Sequence, residues 1–483
     1  MPDWLQHRAS ALPGATAVVQ ADGAALTFAE LDARVAALAA ALETRGIGAG
    51  QHVALLALNS LEFVDAVHAV TRLDAVLVPL NARLTPAELA YQLENCGARL
   101  LLAHAPTAAL AREATAITGT SVFELGGGTT TPVTEPPAAT IRTHNADAPH
   151  SIIYTSGTTG RPKGAILTYE NFAASAAASA YNMGVLPGDR WLACMPLFHV
   201  GGLSIVLRSA IYGTAVAVHA AFDEHAVNRA LRDEGVSLLS VVPTMLQRML
   251  DADALPYPPS VRGVLVGGGP VTRDLLLRAL DRGLPVLQTY GLSEAASQVT
   301  TLSPGDALTH TGSAGKPLLC TRLRIDAPAG EPGEILVSGA TITAGYLENP
   351  EATARALRDG WLHTGDIGRL DAEGFLYVLD RRDDLIVTGG ENVYPAEVEG
   401  HLLQHPAVEA AAVVGIPDAR WGQAVAAAVV LRTTVDDAAA TFDAYLRERI
   451  APYKLPRRYL VTASLPATAS GKIQRHLVHT LFA

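Results

Sequence analysis

Residues 154–164, YTSGTTGRPKG, set hydroxyls, glycines and one lysine in a single loop. Glycine lets a backbone come close to an anion, hydroxyls and amides donate hydrogen bonds to it, and lysine adds positive charge. Together they suit a polyphosphate. The same residues would also make an ordinary glycine-threonine turn. This is not a Walker A loop, because that motif places serine or threonine directly after the lysine, whereas Lys163 is followed by Gly164 and Ala165. Two other segments carry compatible chemistry. In YGLSE, residues 290–294, an aromatic able to stack on a base precedes the Ser293 hydroxyl and the Glu294 carboxylate. A carboxylate near phosphates suits Mg2+, which takes a few protein oxygens beside phosphate oxygens. In LHTGDIG, residues 362–368, Asp366 stands in a turn where it could accept from two ribose hydroxyls. Either segment would also pass for a surface turn.

The elements that must position these residues are legible around them. Thr27-Phe-Ala-Glu30 and Thr85-Pro-Ala-Glu88 are capping boxes, the second with proline at the first helical position, so helices begin there. Between them, HVALLAL at 52–58 and AVLVPL at 75–80 are short apolar runs suited to strands buried on both faces. Alternation of such strands with helices predicts an α/β chain with largely parallel sheets. Alanine-rich stretches such as 35–43 predict close helix packing, since no heptad pattern is sustained. Residues 126–148, rich in glycine, threonine and proline, read as a surface loop leading into the phosphate motif. Past Asp380 a charged cluster gives way to a helix at 395–404, strands in AAAVVG and AVAAAVVL, and a helix at 438–450. This predicts a smaller α+β unit, with a boundary at 380–384.

A chain of 483 residues, 49% of them hydrophobic, buries a large core and divides into more than one domain. A formal net charge of -11 argues against a general nucleic-acid binder. Cys96, Cys194 and Cys320 form no C-x-x-C pair and read as buried or incidental thiols of a reducing compartment. The amino-terminal residues carry early charge and lack the apolar core of a signal peptide, and no apolar run reaches the ~20 residues of a membrane span. The expectation is a cytoplasmic protein without a membrane partner; a homodimer is left open.

YTSGTTGRPKG, YGLSE, TGD, DRRDDLIVTGGENVYPAEVE and PATASGKIQR stand in the order and spacing of the adenylate-forming superfamily, and the sequence resembles it along essentially its whole length. The resemblance implies an α/β fold: a large N-terminal domain, 1–380, of parallel-rich sheets flanked by helices plus a distorted barrel, and a small mobile α+β C-terminal domain, 381–483. It implies attack of a substrate carboxylate on the α-phosphate of ATP, giving acyl-adenylate and pyrophosphate, followed by transfer to a thiol. Thr155, Ser156, Gly157, Thr158, Thr159 and Lys163 would hold the β and γ phosphates. Gly267, Gly268, Gly269 and Pro270 with Tyr290 would form the adenine slot. Ser293, where the superfamily usually has threonine, would donate to the α-phosphate, and Glu294 would hold Mg2+. Asp366 and Arg381 match the ribose-binding pair. Lys472, in SGKIQR, matches the lysine that bridges carboxylate and α-phosphate. Asp383 matches the hinge about which the small domain turns between the two half-reactions, bringing Gly389 and Gly390 toward the acyl-adenylate and leaving room for a pantetheine arm. The chain stops at Ala483 without a carrier domain, which favours free coenzyme A as the thiol.

The small-molecule acid is read from PLFHVGGLSIVLRSAIYG, residues 196–213. His199 begins a helical stretch, assigned to the site by the resemblance, with Ser204 and Arg208 at i and i+4 on one face. An arginine facing an apolar tunnel would be costly unless paired, so Arg208 points to a second carboxylate on the substrate; a surface arginine paired elsewhere is the other reading. Segments such as DRWLACMPLFHVGGLS and LQTYGLSEAASQVTTLSP resemble most the o-succinylbenzoate-CoA ligases of menaquinone biosynthesis. That resemblance gives Arg208 the non-reacting carboxylate, and Ser297, Gln298 and Thr300 the ring and keto contacts. Short-dicarboxylate (malonyl-CoA) or broad aryl/acyl-CoA ligases, and a catalytically silent relative, are the competing expectations.

Overall fold

The computed structural model describes residues 1–126, 140–155, 162–269, 271–380, 385–466, 473 and 475–482. Two mixed sheets form the larger body. The nine-stranded one has six parallel strands at its centre that each have a strand on either side: Val286–Leu292, Gly263–Val266, Leu238–Val241, Arg190–Ala193, Ala215–Val218 and Thr16–Gln20. Its antiparallel margins are Ser297–Thr301 with Lys316–Pro317 on one side and Ala25–Thr27 on the other. The seven-stranded sheet runs Gly345–Tyr346, Lys163–Thr168, Pro149–Thr155, Val76–Pro79, His52–Leu56, Leu100–His104 and Ser121–Leu125. The apolar runs expected to be strands are therefore strands, parallel to one another, with Val53 opposite Leu77.

Their burial follows from the two-residue period of a strand. Val53, Leu55 and Leu77 enter the core shared by the two sheets, whereas Ala54, Leu56, Val76 and Val78 enter a separate core on the outer face. Helices Phe28–Glu43, Leu61–Arg72 and Val200–Tyr212 contribute to the shared core. Helix Leu61–Arg72 is buried along nearly its whole length and carries charge inward, so it needs partners. Arg72 pairs with Asp3 at 3.0 Å and also with Asp32, while Arg34 reaches Asp65 at 2.5 Å. Both predicted capping boxes are present, at Thr27 with Glu30 and at Thr85 with Glu88. The segment expected to be a surface loop falls mostly outside the described residues. Its last part is anchored: the Met1 amino group donates to the His144 carbonyl, and the His144 ring meets Asp74 at 2.6 Å.

An antiparallel sheet of Thr321–Asp326, Gly333–Gly339, Trp361–Leu370, Leu357–Arg358 and Leu376–Asp380 carries Asp366 inside its strand Trp361–Leu370, and not in the turn expected from the sequence. All strands of the last sheet come from residues after 384: Glu391–Val393, Ile386–Thr388, Gly422–Leu431, Val408–Asp418 and Arg458–Val461. Helices Pro395–Leu403 and Ala438–Arg447 pack on it around Val398, Leu402, Phe442 and Leu446. The fold is thus α/β, with parallel-rich sheets flanked by helices in a large N-terminal part and a smaller C-terminal body. Among the described residues no helix is long and apolar enough to cross a membrane. Cys96 and Cys194 are buried free thiols and Cys320 is exposed.

Candidate active site

A cavity of about 360 Å3 opens where strand ends of the larger body meet the smaller body, and most of those described residues that the sequence singled out converge on it. Thr155 and Lys163 pair across the antiparallel strands that flank the phosphate loop, with the Thr155 hydroxyl donating to the Lys163 carbonyl at 3.4 Å. Ser156, Gly157, Thr158 and Thr159 lie outside the described residues, as do Pro270, Arg381, Asp383 and Lys472. The Lys163 ammonium stands 5.5 Å from the centre of the Tyr346 ring, and the Tyr346 hydroxyl donates to Glu294 at 2.8 Å. Tyr346 therefore joins the two motifs expected at the phosphates. It sits in a two-residue strand paired to Lys163–Thr168, and nothing in its local sequence marked it.

The strand Val286–Leu292 brings the next group. Ser293 and Glu294 follow it in a single 3-10 turn and line the cavity. Gly291 is required by a close approach, because a Cβ there would lie 1.7 Å from the Ser297 carbonyl oxygen. The hairpin register shifts at this point, and Ala296 and Ser297 take positive φ values of 50° and 100°. This bulge turns Ser297 and Gln298 toward the cavity. The Tyr290 hydroxyl donates to Asp366 at 2.7 Å, joining the expected base and ribose positions. Its ring, however, is 3% exposed in a core with Val299, Ile335 and Leu376 and does not line the cavity. The structure thus gives Tyr290 an anchoring hydrogen bond in place of an open stacking face. Gly267 and Gly268, but not Gly269, line the cavity beyond strand Gly263–Val266, and Gly268 has φ 78°.

Thr300 is corrected by the structure: it is fully buried and its hydroxyl donates to the Ala314 carbonyl at 2.7 Å, so it is occupied inside the sheet. Period-two alternation along the strand, interrupted by the bulge, places Gln298 and not Thr300 on the wall. Ser204 is also off the cavity wall, although it precedes Arg208 by one turn as expected.

Arg208 does reach the cavity. Its residue is 3% exposed, its guanidinium donates to the Ser175 hydroxyl at 3.2 Å and stands 5.4 Å from the Trp191 ring centre, and its Nε has no partner among the described residues. Among the described residues no carboxylate pairs with it. Burial pushes its pKa down, with Tyr212 opposing. Gln298, 4% exposed and also on the cavity wall, has neither amide atom hydrogen-bonded among the described residues. A buried cation and a buried amide left this way carry a desolvation cost that a polar ligand would remove.

His199 sits at the N-cap of helix Val200–Tyr212, as the sequence predicts. Asn59 fixes the approach to it: its amide donates to the Met195 carbonyl at 2.8 Å and its oxygen accepts from the Leu197 amide at 3.0 Å. The His199 Nε2 lies 3.2 Å from a Glu391 carboxylate oxygen, and Arg83 donates to the other at 2.9 Å. Burial pushes the Glu391 carboxyl up, but His199, Arg83 and Lys454 outweigh it and hold it below its usual value. Gly389 and Gly390 precede it with φ 58° and 86°. A Cβ on Gly389 would lie 2.7 Å from the Trp421 ring, whereas Gly390 lines the cavity.

Residues 5–347 match the AMP-binding enzyme family and residues 397–472 match the AMP-binding enzyme C-terminal domain. A 2-succinylbenzoate--CoA ligase of Bacillus cereus is 42% identical, spanning 100% of this chain and 98% of that protein. Among solved structures, a double mutant of o-succinylbenzoate CoA synthetase from Bacillus subtilis, bound to its product analogue OSB-NCoA, superposes with a TM-score of 0.93 at 39% identity, covering 99% of this chain and 97% of that one. The same enzyme with the acyl-adenylate intermediate OSB-AMP gives 0.76 over 99% and 98%, and with ATP and a magnesium ion 0.75 over 99% of both, each at 39% identity. A TM-score that changes so much between states of one enzyme, at constant identity and coverage, reflects how its parts are arranged more than how they fold.

Proposed function

This chain belongs to the AMP-binding enzymes, and from that premise we propose that it is an ATP-dependent, AMP-forming acid-CoA ligase acting on o-succinylbenzoate. One carboxylate oxygen of the acid attacks the α-phosphorus, the bond to the β-phosphate oxygen breaks, and pyrophosphate leaves. The coenzyme A sulfur then attacks the acyl carbon, and AMP leaves with the oxygen that came from the acid.

The observation that carries the choice of acid is Arg208, a buried guanidinium on the cavity wall with an unpaired Nε and no carboxylate partner among the described residues. A substrate that reacts through one carboxylate and retains another would pair with it. Gln298, whose amide is unpaired among the described residues beside the same cavity, supplies N–H donors for a keto oxygen.

The remaining roles are assigned on the motifs. We assign Thr155 and Ser293, on the cavity wall, and Lys163, beside Tyr346 of that wall, to the leaving phosphates and the α-phosphate, and Asp366, held by Tyr290, to the ribose. Glu294 fits Mg2+: it is one carboxylate on the cavity wall, steadied by a neutral phenol, and such a cation draws its other ligands from phosphates and water. Bound there, the ion would neutralise charge on the departing pyrophosphate. We assign Lys472, Arg381, Ser156, Gly157, Thr158, Thr159 and Pro270 to ATP and the reacting carboxylate on their motifs. We likewise propose two domains, 1–380 and 381–483, turning about Asp383 between the half-reactions. His199, at the cavity and tied to Glu391 in the smaller body, stands at the junction where the thiol would enter.

Pyrophosphate release with ATP across a panel of o-succinylbenzoate, benzoate, a fatty acid and malonate tests this reading. Turnover of o-succinylbenzoate at least tenfold faster than the others is expected. Faster turnover of malonate would move the chain to the short-dicarboxylate ligases, and of benzoate to the broad aryl ligases.

A further inference from the structure

Among the described residues the smaller body meets the larger through two nodes of charge. One is Glu391 with Arg83 and His199; the other lies deeper. There the Lys454 ammonium donates to Glu397 at 2.7 Å within its own body, and to Glu88 of the larger body at 2.6 Å. The side chains are 4%, 6% and 11% exposed in that order. Beside them, Ala451 is packed into the outer core of the seven-stranded sheet with Leu84 and Leu89, and Tyr453 lies against it. The segment before Lys454 is therefore seated in the larger body. Burial pushes the Lys454 ammonium down, but the two facing carboxylates outweigh it and hold its pKa above the usual value.

Glu88 also caps its own helix. Its second carboxylate oxygen accepts from the Thr85 amide and hydroxyl, both at 2.8 Å, so the carboxylate is already oriented before the smaller body arrives. Lys454 and Glu397 travel together, whereas Glu88 stays behind if the smaller body turns. The ion pair to Glu88 consequently belongs to one arrangement of the two bodies. This is the arrangement that superposes at 0.93 on the product-analogue complex and not at 0.76 as on the acyl-adenylate complex.

We propose that Glu88, acting through Lys454, is a positioning residue that holds the smaller body in this arrangement and thereby serves thioester formation and not adenylation. The inference rests on the two-step reading above, but its physical part does not depend on which acid is used. A buried ammonium shared by two carboxylates loses one of them on rotation, and each freed group must be rehydrated or re-paired.

The test uses Glu88→Gln, which keeps an oxygen for the Thr85 cap and removes the charge. Spin labels at Glu113→Cys and Glu409→Cys, both exposed and in different bodies, in a Cys320→Ser background, report the distance between bodies with coenzyme A present. In the parent, a population at the separation of this structure is expected; Glu88→Gln should lose at least half of it, and Glu88→Asp, which keeps the charge, should lose less. Single-turnover assays should find thioester formation from supplied acyl-adenylate slowed about tenfold in Glu88→Gln, with pyrophosphate release within threefold of the parent. An unchanged distance distribution, absence of this population in the parent, equal losses in both half-reactions, or an aspartate variant worse than the glutamine one would each overturn the proposal. A parent that ignores o-succinylbenzoate but loses the population on mutation would defeat the choice of acid alone.

Discussion

Arg208→Met separates the binding role of this arginine from a structural one. Methionine keeps an unbranched apolar stem against Trp191 and removes the guanidinium. Among the described residues that guanidinium makes one hydrogen bond, to a neutral serine hydroxyl, and leaves Nε unpaired in a buried wall. Its contribution to the free protein is therefore small or unfavourable, and replacing it with an apolar chain should leave the unfolding midpoint unchanged or raised. With substrate the sign reverses. A charged hydrogen bond to a carboxylate is worth about 1.5–3 kcal/mol, or roughly ten- to hundredfold in kcat/KM. Pyrophosphate release at varied o-succinylbenzoate should show that loss, with KM for ATP changed less than threefold. Benzoate, which has no second carboxylate, should be a poor substrate for the parent and lose little more. A loss equal for both acids, or a variant markedly less stable than the parent, would refute the reasoning and return Arg208 to a structural role.

Lys472→Ala should cost adenylation more than about 100-fold, about 2.7 kcal/mol, while thioester formation from supplied acyl-adenylate is largely retained; equal losses would contradict the division of labour. Gly291→Ala should lower stability by about 3 kcal/mol or more, because its Cβ would fall 1.7 Å from the Ser297 oxygen, and a parent-like midpoint would contradict the bulge geometry. His68 and His150 are buried, which pushes their pKa values down to about 4 and about 3. The unfolded chain then binds protons below pH 6.5 that the folded chain refuses, so each should remove about 2 kcal/mol of stability between pH 7 and pH 5. Urea unfolding at the two pH values checks this, and His150→Gln should flatten the dependence; equal stability at both would contradict it.

What the sequence made legible was local. Thr27, Thr85 and His199 announce their helices through capping chemistry and polarity changes that act within one turn, and the structure places each at its helix start. The strands from His52 and Val76 were legible because both their faces are apolar. The partners that define the site were not. Glu391 meets Arg83 across 308 residues and Tyr346 meets Glu294 across 52, pairings that only the packed sheets create. Thr300 was misassigned because the Gly291 bulge shifts the strand register, and that shift depends on a backbone approach no side-chain pattern records. Tyr290 lies at a sheet junction where its ring completes a core, so its hydroxyl is spent on Asp366 and its face is packed inside.

Attack of the acid on the α-phosphorus of ATP, followed by transfer to coenzyme A, can be followed with o-succinylbenzoate carrying 18O in its carboxylates. Mass spectrometry after one turnover with ATP and coenzyme A should find a single 18O in AMP and none in pyrophosphate, together with the acyl thioester. Label in ADP or inorganic phosphate, or AMP formed without label, would contradict it.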